Sequence, residues 1–333
     1  MINKAKYIIS DELIPYKNLA LEEYLLNNVE KDTCILYLWQ NQRTVVIGKN
    51  QNAWKECKVS ELEADNGYLV RRLSGGGAVF HDLGNLNFTF LINKEDYNVG
   101  KQLEVILRAV NKLGINAEKS GRNDITVNGK KISGNAFYSN GINKYHHGTI
   151  LIDVDMENLS KYLNVSKEKL MSKGVDSVKS RVTNLKEYNN KITIDLMREK
   201  LIEAFGEVYG VIPESINKDD INEKELNLLF EKFSSWEWKF GRKIEFQYEF
   251  GKRFTWGDVN IQLSMDEGKI KECLIYSDAM DGEFIGLIPS VLKECVFSSK
   301  AMVQELDKLL TEDNEKINIM IEDIKTLVLE ENL

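Results

Sequence analysis

The sequence predicts a mixed α/β (α+β) protein in two parts: an N-terminal domain over residues 1–245 and a small α+β domain over 246–333. Three features lead to this reading. Segments with the helical period alternate with short runs rich in β-branched and aromatic residues through most of the chain. After Ser235-Trp236-Glu237-Trp238-Lys239-Phe240-Gly241 the pattern changes: strand-like runs follow one another directly, and helical periods fill the rest. A chain of 333 residues is also long enough to be expected to form about two domains.

Taken in order, Pro15 precedes a helical stretch through Leu26, where Leu19, Glu22, Glu23 and Leu26 share helical spacing and Leu21, Tyr24 and Leu25 fill in. Thr33–Trp39 and Thr44–Gly48 read as strands around the polar turn Gln40-Asn41-Gln42-Arg43. Ala53–Asn66 reads as a helix, and Tyr68-Leu69-Val70 as a strand entering a glycine-rich stretch. The strand Leu86–Ile92 follows. Leu103, Ile106, Leu107, Val110 and Leu113 then mark an amphipathic helix that stops at Gly114. Asn128-Gly129 is a strong two-residue hairpin signal, with Ile125-Thr126-Val127 before it and a return strand from Lys130. Tyr145–Asp153 reads as a strand, and Lys167–Gly174 and Leu196–Tyr209 as helices. In the tail, Phe246–Phe250, Val259–Met265 and Ile270–Tyr276 form an antiparallel meander, with helices near Leu287–Cys295, Lys300–Leu310 and Asn314–Leu329.

Composition narrows the function. With 43% hydrophobic and 29% charged residues the chain is ordinary for a globular protein, and no apolar run reaches the ~18 residues of a membrane span. The N-terminus lacks the apolar core of a signal peptide, so a cytoplasmic protein is expected. A net charge of −8 argues against general nucleic-acid binding, so an anionic ligand must be held by local groups. Cys34, Cys57, Cys273 and Cys295 are far apart and form no C-x-x-C pair, which argues against a disulfide framework or a zinc ribbon. His146 and His147 are adjacent on a strand and point to opposite faces, so they cannot share one metal ion.

The stretch Arg71 to Asn87 carries the most chemistry. Gly75, Gly76 and Gly77 let the backbone lie against a ligand and aim amides at it, and Arg71 or Arg72 could add a forked cation. A tight, flexible turn between strands is the competing reading. The loop fits neither a Walker motif, since Ala78-Val79 follows the last glycine, nor a dinucleotide fingerprint, since strand residues follow rather than a helix. In the hairpin, Asp124 and Lys131 fall on neighbouring strands, within reach of each other; the competing reading is a lysine beside a turn that is simply solvated. Ser177 to Asn184 is a polar, basic loop that either reaches a phosphate or lies on the surface.

Together these stretches resemble the bacterial lipoate–protein ligase A family over nearly the whole chain. The resemblance is carried by Arg71-Arg72-x-Ser74-Gly75-Gly76-Gly77-Ala78-Val79-Phe80-His81-Asp82-x-Gly84-Asn85, Gly121-Arg122-Asn123-Asp124, Lys131-x-Ser133-Gly134, His146-His147-Gly148-Thr149 and Ser177-Val178-x-Ser180-Arg181-Val182-Thr183-Asn184, in that order. The tail is similar through Ser234-Ser235-Trp236-Glu237-Trp238-x-Phe240-Gly241 and Arg253-Phe254-Thr255-Trp256-Gly257.

The resemblance implies a catalytic domain like those of biotin ligases and class II aminoacyl-tRNA synthetases, with the tail as an accessory domain. It implies that ATP and Mg2+ convert (R)-lipoate to lipoyl-AMP, and that the lipoyl group then passes to a lysine of an acceptor. Acceptors in the family are the lipoyl domains of 2-oxoacid dehydrogenases and the glycine-cleavage H protein. Lys131 matches the essential lysine that reaches both the lipoyl carbonyl and the α-phosphate. Gly75, Gly76, Gly77, Ala78, Val79 and Phe80 match the loop around the intermediate, with Arg72 and Ser74 at its entrance. Asn123 and Asp124 match the adenylate side, with Asp124 the expected Mg2+ ligand. Lys179 and Arg181 lie on the adenylate-binding loop, while His81 and His147, followed by Gly148 and Thr149, shape the site. A monomer is expected.

An octanoyltransferase of the same superfamily would need a reactive thiol, and no cysteine lies between Cys57 and Cys273. A biotin ligase would carry a basic Gly-Arg-Gly-Arg-type loop, which is absent. A non-enzymatic acyl-binding protein would have no need of Lys131.

Overall fold

The computed structural model describes residues 2–121, 124–164 and 182–333. Asn123, Lys179, Arg181 and the helix expected at 167–174 lie outside them. The described residues form two compact units. The first comprises residues 1–46, 56–71 and 79–235, and the second 47–55, 72–78 and 236–333.

The first unit is built on an eight-stranded sheet. Its strands are β1 (Lys4–Ile9), β2 (Thr33–Trp39), β6 (Asn85–Asn93), β7 (Glu118–Ser120), β8 (Asp124–Val127), β9 (Lys130–Ser139), β10 (Asn143–Leu151) and β11 (Glu214–Ser215), in the order β11-β1-β2-β6-β10-β9-β8-β7. The contacts of β1 with β2 and β11 are parallel, and from β2 onward every pairing is antiparallel. β2 and β6 are buried along their whole length; β2 is accordingly a nearly continuous apolar run, whereas β6 alternates, with Asn85, Asn87 and Thr89 between Leu86, Phe88 and Phe90. On one face Cys34, Leu36, Leu38, Phe88, Phe90 and Ile92 form a core with the helices Val99–Asn111 and Ile194–Tyr209. On the other face Tyr37 and Thr89 meet the helix Pro15–Asn28, through Asn18 and Glu22. A second sheet has the order β4 (Tyr68–Arg71), β3 (Thr44–Ile47), β5 (Val79–His81).

Most elements fall where the sequence places them. Asn128 and Gly129 have φ of 51° and 74°, the left-handed pair that a two-residue hairpin turn requires. The stretch 53–66 differs: it forms two short helices, Ala53–Glu56 and Val59–Ala64. Between them Cys57 bridges Leu163 as a strand would, and Lys58 N–H donates to Tyr162 O, so tertiary pairing interrupts the helix.

The second unit holds an antiparallel meander of β12 (Tyr248–Arg253), β13 (Asp258–Asp266) and β14 (Lys269–Ser277), with helices Gly282–Leu292, Ser299–Asp307 and Glu315–Glu330 closing its core. This division differs from a boundary at 245. The unit begins at Trp236 and takes in two segments from earlier in the chain. Arg242 explains one of them: its guanidinium donates to Lys49 O at 2.9 Å and Ile275 O at 3.1 Å. Ser277 N–H donates to Asn50 O at 2.9 Å, and Asn50 Nδ2 to Gly282 O at 2.8 Å.

Candidate active site

In the first unit, Lys131 and Asp124 come together. Lys131 Nζ lies 2.7 Å from Asp124 Oδ1, with each side chain about one-third exposed. The hairpin turn brings β8 and β9 side by side, and the pairing is therefore more specific than a solvated charge. On β10, Thr149 Oγ1 accepts from Gly134 N–H at 3.3 Å. Gly148 permits close packing there, because a β-carbon would come within 2.6 Å of Gly134 O.

The two adjacent histidines do face opposite ways. His146 is fully buried among Phe88, Phe90 and Phe137, with Nε2 2.7 Å from Asn135 Oδ1. The acceptor oxygen assigns the proton to Nε2. Burial, with a smaller effect from His147, pushes its pKa down to about 3. Between that value and about 6.5 the unfolded chain binds a proton that the native chain does not. Stability is therefore expected to fall as the pH is lowered from about 6.5, by up to about 1.4 kcal/mol per pH unit from this group. Urea unfolding at pH 7.5 and 5 checks this, and His146→Gln should flatten the difference.

His147 joins a buried polar chain that sequence reasoning missed. Its Nδ1 lies 2.8 Å from Glu22 Oε1, which also accepts from Thr89 Oγ1 at 2.7 Å; Thr89 Oγ1 in turn accepts from Trp39 Nε1 at 3.1 Å. Glu22 is 1% exposed. The signal was in the sequence: Glu22 shares helical spacing with Leu19 and Leu26, a carboxylate in an apolar stripe. His81 on β5 meets Asn41 Nδ2 at 3.3 Å and the edge of the Trp39 ring. Phe80, next to it, is buried and stacks on Tyr162 at 5.4 Å.

The glycine stretch from Arg72 to Ala78 belongs to the second unit. A β-carbon on Gly75 would meet Ala279 O and Met280 O at 2.5 Å and Gly282 N at 2.9 Å, so the close approach is to the chain itself. Gly76 has φ of 88° and donates its N–H to Ala279 O at 2.8 Å. Gly77 has nothing within 4 Å of its added β-carbon and is the open position of the loop. Arg72 is buried, and its guanidinium donates to Gly75 O at 2.7 Å, Gly77 O at 2.8 Å and Ser74 Oγ at 3.0 Å. It ties the loop together from inside.

The description Lipoyl protein ligase A/B catalytic domain matches residues 14–206, and Bacterial lipoate protein ligase C-terminus matches residues 243–328. These matches define a lipoyl protein ligase catalytic domain with an appended C-terminal domain. A lipoate-protein ligase A of Psychrobacter cryohalolentis is 41% identical over 303 residues, covering 89% of each chain. The crystal structure of P. falciparum LipL1 in complex with lipoate superposes with a TM-score of 0.86 and 32% identity, over 98% of this chain and 99% of that one. The bipartite lipoate protein ligase of Thermoplasma acidophilum, described with its E2 lipoyl domain, gives 0.65 at 28% identity over 73% and 98%. A lipoate-protein ligase A bound with ATP gives 0.61 at 27% identity over 72% and 99%. The chain belongs to the lipoate–protein ligase A family. Among the described residues no helix is long and apolar enough to cross a membrane.

Proposed function

We propose that the chain joins free lipoate to lysines of acceptor proteins in two steps, with Lys131 serving both. In the first, a carboxylate oxygen of lipoate attacks the α-phosphorus of ATP, the bond to the bridging oxygen breaks, and pyrophosphate leaves lipoyl-AMP. In the second, the ε-amine of an acceptor lysine attacks the acyl carbon, AMP departs, and the amine loses a proton. Both transition states build negative charge on oxygen, which a fixed cation stabilises. The observation that carries this reading is the Lys131–Asp124 pair: an ammonium on a flexible stem, partly exposed, with a carboxylate partner that it can exchange for phosphate or acyl oxygen. The bound lipoate and ATP of the solved relatives support the same substrates here.

Mg2+ is proposed to enter with the nucleotide. Among the described residues no group of three His, Cys, Asp or Glu gathers to hold a metal. That suits an ion which takes one or two carboxylates plus phosphate oxygens and keeps its waters. Asp124 is the residue that would hold it, and the ion would offset phosphate charge when bound. Gly75, Gly76, Gly77, Ala78, Val79 and Phe80, with Arg72 and Ser74, are assigned to the acyl-adenylate, His81, His147, Gly148 and Thr149 to shaping the site, and Asn123, Lys179 and Arg181 to the nucleotide, all on the motif match. Residues 1–245 are assigned the adenylation chemistry and 246–333 an accessory role. The acceptors are proposed to be lipoyl domains of 2-oxoacid dehydrogenases and the glycine-cleavage H protein, and the protein a cytoplasmic monomer.

The test is lipoate-dependent exchange of labelled pyrophosphate into ATP. Folded protein that gives no exchange would sink the adenylation step. The competing route, acyl transfer through a cysteine, requires an accessible thiolate. Burial pushes Cys34, Cys57 and Cys273 up to about 12 and also raises Cys295. Cys57→Ala and Cys273→Ala are therefore expected to lipoylate acceptor within about twofold of the native rate. A dead variant that remains folded would revive the thiol route.

A further inference from the structure

A regular strand would put Lys131 on the wrong face. Asp124 pairs with Gly134 across β8 and β9, and Ile125 with Ser133, but then the register shifts: Thr126 pairs with Lys131, and Val127 with Lys130. Ile132 is left without a partner on β8. Side chains alternate along a strand, so Lys131, three residues from Gly134, would ordinarily point away from Asp124. One extra residue reverses that parity, and bulges commonly re-aim a side chain in this way. The Lys131 backbone has a further partner: Thr183 N–H donates to Lys131 O at 3.0 Å, and Val182 bridges Lys131. The Ile132 side chain goes into the core.

The re-aimed stem needs room, and Gly134 supplies it. A β-carbon on Gly134 would lie 2.8 Å from Lys131 Nζ and 2.9 Å from Cε, with Thr149 Oγ1 next at 3.9 Å. The φ of Gly134 is not among the left-handed ones, so its backbone does not demand glycine. The lysine does.

We propose that the bulge at Ile132 and the bare α-carbon of Gly134 form a cradle that holds the Lys131 ammonium against Asp124. Gly134 is thus a positioning residue for the ligase reaction. This rests on the reading of Lys131 as the reacting cation. An alanine at 134 displaces the far end of a flexible side chain rather than backbone, so the fold tolerates it while the lysine is expelled.

The test measures Gly134→Ala in three ways: thermal unfolding, the rate at which an N-hydroxysuccinimide ester labels Lys131 (read by peptide mass spectrometry), and lipoate-dependent pyrophosphate exchange at saturating ATP and lipoate. The expected result is little change in Tm, several-fold faster labelling, and kcat for exchange lower by about tenfold or more. Unchanged labelling overturns the cradle, whatever the activity. Faster labelling with undiminished exchange supports the cradle and overturns instead the assignment of the reaction to Lys131. If Gly134→Ala does not fold, Lys131→Ala/Gly134→Ala decides: a folded double variant supports the cradle, and an unfolded one overturns it.

Discussion

Lys131→Ala is expected to lower lipoate-dependent pyrophosphate exchange by about a hundred- to a thousandfold, the usual cost of removing a group that stabilises transition-state charge. Stability should change little, because each side chain of the Lys131–Asp124 pair is about one-third exposed to solvent. Transfer from pre-formed lipoyl-AMP to an acceptor should fall as well, since the proposed mechanism has the same ammonium stabilise the acyl oxygen in the second step. Measuring both half-reactions separates the possibilities. Loss of exchange with intact transfer would confine Lys131 to activation; intact exchange would remove it from the mechanism. Asp124→Asn keeps the side-chain volume, and comparing it with Lys131→Ala tells whether the carboxylate contributes anything beyond holding the lysine.

The second large effect is expected at Gly75. A β-carbon there would meet two carbonyl oxygens at 2.5 Å and an amide nitrogen at 2.9 Å, all backbone atoms that cannot rotate away. Gly75→Ala should therefore destabilise the protein by about 2–3 kcal/mol, in the range of overpacking in a dense interior. Urea unfolding measures this. Gly77→Ala is the control, because nothing lies within 4 Å of its added β-carbon, and its stability should match the native protein. If Gly77→Ala keeps its stability but loses exchange activity, the open part of the loop is the part that meets ligand. Equal stability losses at both positions would contradict the distinction between them.

These two sites show how differently the same kind of evidence could be read. The hairpin at Asn128-Gly129 was legible because turn chemistry is local: two residues that tolerate positive φ, between alternating runs, leave few alternatives. The amphipathic helix Val99–Asn111, followed by the positive-φ Gly114, was legible for the same reason. The triple glycine reads as a place where backbone lies against a ligand, and the sequence does not show that Gly75 and Gly76 also lie against distant backbone. That backbone, near Ala279–Gly282, lies about two hundred residues away in sequence, and no local pattern records it. Arg72 beside glycines has the chemistry of an anion partner; the sequence does not show that its guanidinium also donates to the loop's own carbonyls, Gly75 O and Gly77 O.

By itself the sequence determined the mixed α/β class, most of the strands and helices among the described residues (though not β1, β7, β11 or the helices Met156–Tyr162, Glu223–Ser234 and Trp236–Phe240), and the order of motifs that identifies the family. Those features depend on period, turn residues and residue type, which are properties of neighbouring positions. Tertiary structure alone decided that residues 47–55 and 72–78 join the C-terminal unit, that Glu22 meets His147, and that Lys131 faces Asp124. Each depends on which distant backbone a segment packs against. At Lys131 it depends on a register shift of one residue, which reverses the face of every side chain beyond it and leaves no mark in the strand's composition.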